Sequence, residues 1–429
     1  LSTPTPSPAL QKPPLRAIAY LTLASFASQA MVRSVDTLLP QIATDFDTTV
    51  GTASIVVTAY AITHGTVQLV IGPTADRFGK YRSIAIACAL SAITVALCGL
   101  ASSLGILALA RLASGMTAAW ILPLALAFIG DTVPYEQRQH VLGRFMAGQI
   151  IGQMTGQAAG GILGDLFGWR MVFFLLAAMF AIASVVLLIE LTTNPATRAA
   201  DRRVQNGRGL RADYVTIFSD PWARFVLLVT FLEGGLIYGV FPFVGAHLHS
   251  HFGLSFTAIG VVIGGFAIGG LCYAGLVNVM INRLGQIGIA VGGGVMMGAA
   301  FLALALMPVW GIAPPAVFAI GIGFYMLHNT LQTEATQMAP EARGTSLALF
   351  ASMYFIGQTV GVALSAPVVD RAGAASSRLV LPVSMPCRGA VPRRAHRTPS
   401  RWSAGPSAGP PPRPRDRRRC GPPPRRPPR

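Results

Sequence analysis

Charge is the scarcest commodity in this chain. Of 429 residues, 11% are Asp, Glu, Lys or Arg and only 16 are acidic, whereas 52% are hydrophobic and the mean hydropathy is +0.56. A soluble globular domain needs far more surface charge than this, so a polytopic membrane class is the one left. Cysteine is equally thin. Cys88, Cys98 and Cys272 lie in apolar runs, Cys387 and Cys420 lie near the C-terminus, and none shows CxxC or metal-ligand spacing, which excludes a disulfide scaffold and a cysteine metal site. A nucleotide-binding glycine loop, a catalytic triad and a metal-ligand set are all missing, so no enzyme, cofactor or metal is expected. A removable leader is not expected either. Leu1 to Pro14 is short, polar and proline-rich, and the first apolar run is too long and lacks a small-residue cleavage flank, so it should stay as a membrane helix.

What the chain does have is apolar runs of spanning length. Candidate spans fall near 16–40, 50–72, 83–103, 105–129, 145–164 and 170–191, and, after a polar Arg-rich stretch at about 192–222, near 223–246, 256–281, 286–307, 311–337 and 344–368. With the N-terminus in the cytoplasm, fifteen bases up to Arg343 fall in cytoplasmic segments and Arg170 alone falls in an external loop, the bias that sets membrane orientation. The formal charge of +17 raises nucleic acid as a partner until it is located. Residues 371–429 hold 15 Arg and one acid, while residues 1–370 hold 18 bases and 15 acids, so the body carries only +3 and offers no basic face.

The two sets of spans are copies. Counting from Arg138, Gly152, Gln153, Gly156, Asp165 and Gly168 recur at the same offsets from Arg343 as Gly357, Gln358, Gly361, Asp370 and Gly373. By that register a twelfth span should begin near residue 375. Residues 375–429 instead contain 14 Arg, 14 Pro, 4 Gly and 5 Ala, a composition that builds neither helix nor core. A polybasic RNA- or lipid-binding tail is one reading; GC-rich DNA translated out of frame is the other, and no function is built on it.

Gly72, Asp76, Arg77, Gly79, Lys80 and Arg82 sit between the second and third spans. Glycines let backbones approach, an aspartate suits the positive end of a neighbouring helix, and the bases hold the loop in the cytoplasm; Asp76 is expected to meet the start of span 11 near Gly344 and Thr345. This string resembles the signature loop between helices 2 and 3 of the major facilitator superfamily, with Thr74 where a leucine is usual and Tyr81 where a second base is usual. A decayed copy lies in the second set, with Asn278 and Asn282 in the places of Gly72 and Asp76, followed by Arg283 and Gly285.

Ionisable groups inside a bilayer are expensive, so each is a functional candidate. Arg33 and Asp36 lie in span 1, one turn apart on one face; Arg111 lies in span 4 at a similar depth; Glu233 lies near the middle of span 7. Either arginine can pair with Asp36, as a static ion pair or as a proton-coupling group. Asp36 with Pro40, and Arg111 with Gly115, resemble motifs of the superfamily's drug:proton antiporter branch, which implies proton coupling by the arginine. Gly148, Gly152, Gly156, Gly160 and Gly164 recur every fourth residue, a smooth helix face. They resemble the antiporter motif of that branch, except that its Gly-Pro pair is here Gly156-Gln157. Glu233, Tyr238, Tyr325, His328 and Asn329 are placed to face a central cavity. His247, His249 and His251 read as an external loop cluster.

The expected fold is therefore all-α and polytopic, a major facilitator fold of two six-helix halves with the twelfth helix missing or replaced by a disordered Arg/Pro-rich tail. Its parts are a cytoplasmic segment (1–15), an N-terminal half (16–191), a central loop (192–222), a C-terminal half (223–373) and the tail (374–429). The resemblance implies a monomeric, multi-pass plasma-membrane transporter with a cytoplasmic N-terminus, moving protons and small organic molecules. Efflux is favoured over an uptake symporter, a uniporter or a transport-dead product.

Overall fold

The computed structural model describes residues 14–201, 210–339 and 343–372, excepting the side chains of 72–78, 135, 136, 139, 210, 211, 343 and 372. Among the described residues every regular element is a helix. The first six spans are α1 (Leu15–Asp45), α2 (Val50–Ala53) with α3 (Ile55–Phe78), α4 (Lys80–Gly99), α5 (Leu104–Ala118) with α6 (Ile121–Thr132), α7 (Tyr135–Phe167) and α8 (Trp169–Thr193). The stretch expected to be a polar loop contributes two short helices, α9 (Pro195–Asp201) and α10 (Leu210–Ser219). Then come α11 (Pro221–Tyr238) with α12 (Phe241–Phe252), α13 (Phe256–Leu306), α14 (Ala313–Met338) and α15 (Arg343–Ala372).

The breaks in these helices have local causes. Proline lacks an N–H and crowds the carbonyl four residues back. Pro123 accordingly separates α5 from α6 at Ala119–Trp120, and Pro242 separates α11 from α12 at Gly239–Val240. A straight helix of the 51 residues in α13 would be about 77 Å long, more than twice a bilayer core. Gly285, at φ 65° and ψ 173°, breaks it into two arms. Both arms return to α14: a Cβ on Gly269 would meet Phe318, and one on Gly293 would meet Gly323. Gly79 (φ 88°) makes the same one-residue turn between α3 and α4, so the decayed copy read from the sequence keeps its turn even where it has lost its aspartate.

Nine helices or helix pairs among the described residues are long and apolar enough to cross a membrane. The second arm of α13, and α7, whose glycines and glutamines lower its hydropathy over 33 residues, complete the eleven expected spans. The expected missing or disordered twelfth helix falls on residues 373–429, outside the described residues. One apolar cluster joins α1 to α8, a second joins α11 to α15, and a third ties α10 to the neighbouring ends of α11, α14 and α15. We call the end holding Gly79 and α10 the basic end. At the opposite end Thr49, Ser103 and Ser255 cap α2, α5 and α13, their hydroxyls accepting the N–H of Thr52, Ile106 and Ala258.

Candidate functional site

The five glycines of α7 all face α1, one turn after another. Cβ atoms on Gly148, Gly152, Gly156, Gly160 and Gly164 would strike Thr22, Phe26, Ala30, Ser34 and Leu38 in that order. Side chains absent on one helix thus let the other press in along its whole length. On its next face α7 meets the first arm of α13, where Gly161 abuts Gly260.

This pressing carries α1 into the centre of the bundle with two charges on it. Arg33 and Asp36 are buried, with Arg33 Nη1 3.8 Å from Asp36 Oδ2. The guanidinium lies 3.5 Å from the centre of the Tyr238 ring of α11, and its Nη2 donates to the Tyr354 hydroxyl of α15 at 3.1 Å. One cation from the first six spans is therefore held by two aromatic groups of the later spans, and a desolvated cation over a ring is a strong contact of its class. Pro40 leaves the Asp36 carbonyl without its helical donor, and Gly245 of α12 comes up beside that oxygen.

Arg111 is buried as well, but the shared layer does not make it the partner of Asp36. Its Nε donates to the Val56 carbonyl at 3.0 Å, its guanidinium sits 4.4 Å from the Tyr60 ring, and it acts on Asp36 only at longer range. Gly115 completes this contact: a Cβ there would strike the Tyr60 carbonyl. The Arg-x-x-x-Gly spacing thus clamps α5 to α3, and the ion pair of Asp36 is with Arg33.

Glu233 of α11 is buried against His328 of α14, with Oε2 and Nδ1 3.0 Å apart. His328 stacks on Phe324 and packs edge-on to Tyr354. Tyr325 donates to Gln153 Oε1 of α7 at 3.3 Å, while Asn329 lies beside Tyr273 of α13. Four of the five expected cavity residues thus converge on the layer of Arg33 and Glu233, and Asn329 turns to a different neighbour. Around this layer Arg33 Nη1, Asp36 Oδ2, Glu233 Oε1, Gln153 Nε2, Gln358 Oε1 and both amide atoms of Gln157 are buried without a hydrogen-bond partner. Buried polar atoms normally have partners, so this layer has unfilled capacity for a polar ligand or for rearranged pairs.

At the basic end the side chains of Asp76 and Arg77, and residue Gly72 beyond its helical backbone, lie outside the described set. Lys80 bonds Asp131 of α6 at 2.6 Å. Arg82 contributes its backbone: the N–H groups of Tyr81 and Arg82 donate to Asp201 Oδ1 at 2.7 and 3.2 Å, so α9 caps α4 and covers Gly79. Burial pushes the Asp201 carboxyl above its ordinary value. Asp213 of α10 accepts from Thr345 Oγ1 at 2.9 Å, at the start of α15, where Asp76 was expected to dock. Sequence reasoning passed over Asp131, Asp201 and Asp213; for the last two, acids isolated in an Arg-rich stretch were the available signal. It also misplaced the histidines. His247, His249 and His251 belong to helix α12, which runs on until Gly253 ends it at φ 66°, and the rings of His247 and His251 stack one turn apart.

Repeated helical halves closing on a buried layer of ion pairs and aromatics are the architecture of a multi-pass membrane transporter. The family model described as Major Facilitator Superfamily matches residues 21–362, and the chain belongs to that superfamily. The uncharacterized MFS-type transporter YceJ of Bacillus subtilis (strain 168) is 27% identical over 336 residues, 76% of this chain and 83% of that one. The same organism's Multidrug resistance protein 1 is 26% identical over 215 residues, 50% of this chain and 54% of that one. Among solved structures, a mutant of the nucleoside transporter NupG superposes with a TM-score of 0.71 at 17% identity, covering 86% of this chain and 96% of that one; it is similar in fold.

Proposed function

We propose that this membrane transporter exports small organic compounds across the plasma membrane in exchange for protons, by alternating access between residues 16–191 and 223–373, which the 192–222 segment joins. The basic end is then cytoplasmic, as its lysines and arginines favour, and the chain works as a monomer. The supporting observation is the Arg33–Asp36 pair lying against Tyr238 and Tyr354. A carboxylate beside a guanidinium can alternate between a paired, ionised state and a protonated one. Proton entry frees Arg33 to change its partners in the other half, and that is the required link between proton and conformation. Efflux fits the resemblance to Multidrug resistance protein 1, whose name refers to that protein. Uptake with protons is the second reading, favoured by α7 continuing as a helix through Gly156 and Gln157, where the antiporter branch carries Gly-Pro.

The test is Asp36→Asn in everted membrane vesicles. Efflux of the substrates of the wild-type chain, driven by a proton gradient, should fall to background at unchanged expression. Gradient-driven transport that persists in this variant moves the proton to Glu233 and His328.

A further inference from the structure

Two aspartates that the repeat singles out have no part in the central layer. Asp165 ends α7 and Asp370 ends α15, at the end opposite the basic loops. Asp165 Oδ2 accepts from the Thr257 N–H at 3.2 Å and from Thr257 Oγ1 at 2.7 Å, in the first turn of α13. Asp370 Oδ1 accepts from the Gly51 N–H at 2.9 Å and its Oδ2 faces Thr52 Oγ1 at 3.5 Å, in the first turn of α2. The four positions are repeat mates: a shift of 205 takes Asp165 to Asp370 and Thr52 to Thr257. Each aspartate therefore binds a helix start belonging to the other set of spans.

The local chemistry makes these contacts specific. The first-turn N–H groups of a helix have no partner within it. Thr49 and Ser255 each serve one such group from inside their own helix, and the aspartate across the interface serves another. Close approach is built in beside both. A Cβ on Gly51 would strike the Ala366 carbonyl, and one on Gly161 would strike the Phe256 carbonyl, pairs that the same shift of 205 exchanges. One copy supplies the glycine from α2 and the other from α7, but the joint is the same.

We infer that Asp165 and Asp370 are twin latches that hold the external face shut, each carboxylate fastening one half to the first helical turn of the other. Substrate leaves to the outside only when α2 parts from α15 and α13 from α7, so both latches open together in the outward-facing state. The inference rests on the alternating-access reading of the proposed function.

The test uses the full chain with its five native cysteines replaced by Ser, in right-side-out vesicles, carrying a reporter at Phe243→Cys. Phe243 of α12 is buried in the core of the first six spans and is uncovered when the external face opens. An impermeant maleimide should label it severalfold faster in Asp165→Asn or Asp370→Asn than in the parent, and faster still in the double variant. A second reporter, Gln332→Cys in the basic-end half of α14, probed with a permeant maleimide, should label more slowly in the same variants. Labelling of Phe243→Cys at the parent rate in the double variant, or a rise at both reporters, overturns the latch; the second result means a loosened fold. If the aspartate variants do not reach the membrane, Thr52→Val and Thr257→Val carry the same expectation and the same refutation. Reporter rates that refute the latch in a transporting chain leave the proposed function standing. Reporter rates as expected in a chain that moves no protons leave the latch standing and refute proton coupling.

Discussion

A shift of 205 residues carries the contact of Gly152 with Phe26 onto that of Gly357 with Phe231, and Gly156 with Ala30 onto Gly361 with Gly235. The α1–α7 joint and the α11–α15 joint therefore share one backbone geometry. Their chemistry differs at the same positions. Arg33 and Asp36 map onto Tyr238 and Phe241, Gln149 maps onto Tyr354, and Glu233 maps back onto Ser28. The guanidinium of one copy rests on the aromatic ring that replaces it in the other. Duplication thus kept the packing positions, which tolerate only small residues, and released the inward-facing ones to divide cation, carboxylate and aromatic between the halves.

The comparison breaks most readily at the shared joints. Gly156→Leu and Gly361→Leu each force a side chain into the backbone of the facing helix, and overpacking of that kind costs about 1–3 kcal/mol or more. Each variant should lower the yield of monodisperse protein in detergent by about fivefold, given how small net stabilities are. Size-exclusion chromatography of the two variants side by side checks it. Normal behaviour of Gly361→Leu beside failure of Gly156→Leu would show that only the first joint bears the fold.

A smaller effect is expected where the copies differ in what covers them. Ser184 of α8 donates to the Ala85 carbonyl of α4, and α8 also packs on α1. Ala85 and Ala27 are accordingly 0% exposed. The corresponding positions, Val291 by the shift of 206 that relates Gly79 to Gly285, and Leu232 by the shift of 205, are 44% and 40% exposed. We expect that a chain with residues 375–429 replaced by a 20-residue apolar helix patterned on α8 melts about 2–4 °C higher in detergent, the shift that roughly 1 kcal/mol gives a unit of this size. Equal melting temperatures for the two chains would mean that lipid or detergent covers this face as well as a helix does.

The shared features are the ones that could be read from the sequence. Spans follow from apolar length, and the duplication from glycines, a glutamine and an aspartate at fixed offsets, because backbone approach admits few residue types. The one-residue turn at Gly285 was legible for the same reason. Partner choice was not. Asp36 and Arg111 were expected in one layer, yet depth along a helix says nothing about azimuth, and Arg111 turns to the Val56 carbonyl and Tyr60. The reach of Arg33 into the other half depends on two aromatic residues about two hundred and more than three hundred positions away. His247, His249 and His251 looked like a loop because alternate histidines break the apolar run, whereas the helix signal lay in Gly253.

The smallest expected effect concerns the basic end, where the segment that joins the halves meets each of them through an acid. Asp213 holds Thr345 at the start of α15, and the sequence assigns that same helix start to Asp76. Two carboxylates cannot share one helix start without repulsion, so each should favour a different conformation. We expect Asp213 to hold this start while the external latches are closed, and Asp76 to hold it when the basic end closes. Carboxylate contacts with a helix N-terminus are worth about 0.3–1 kcal/mol, a shift of roughly 1.5- to 5-fold in a two-state equilibrium. The two substitutions must therefore move the equilibrium in opposite directions. Asp213→Ala should raise external labelling at Phe243→Cys by that factor, and Asp76→Ala should lower it. Equal signs would show that both aspartates only anchor the loop, and would leave the external latches as the sole repeat-related gate.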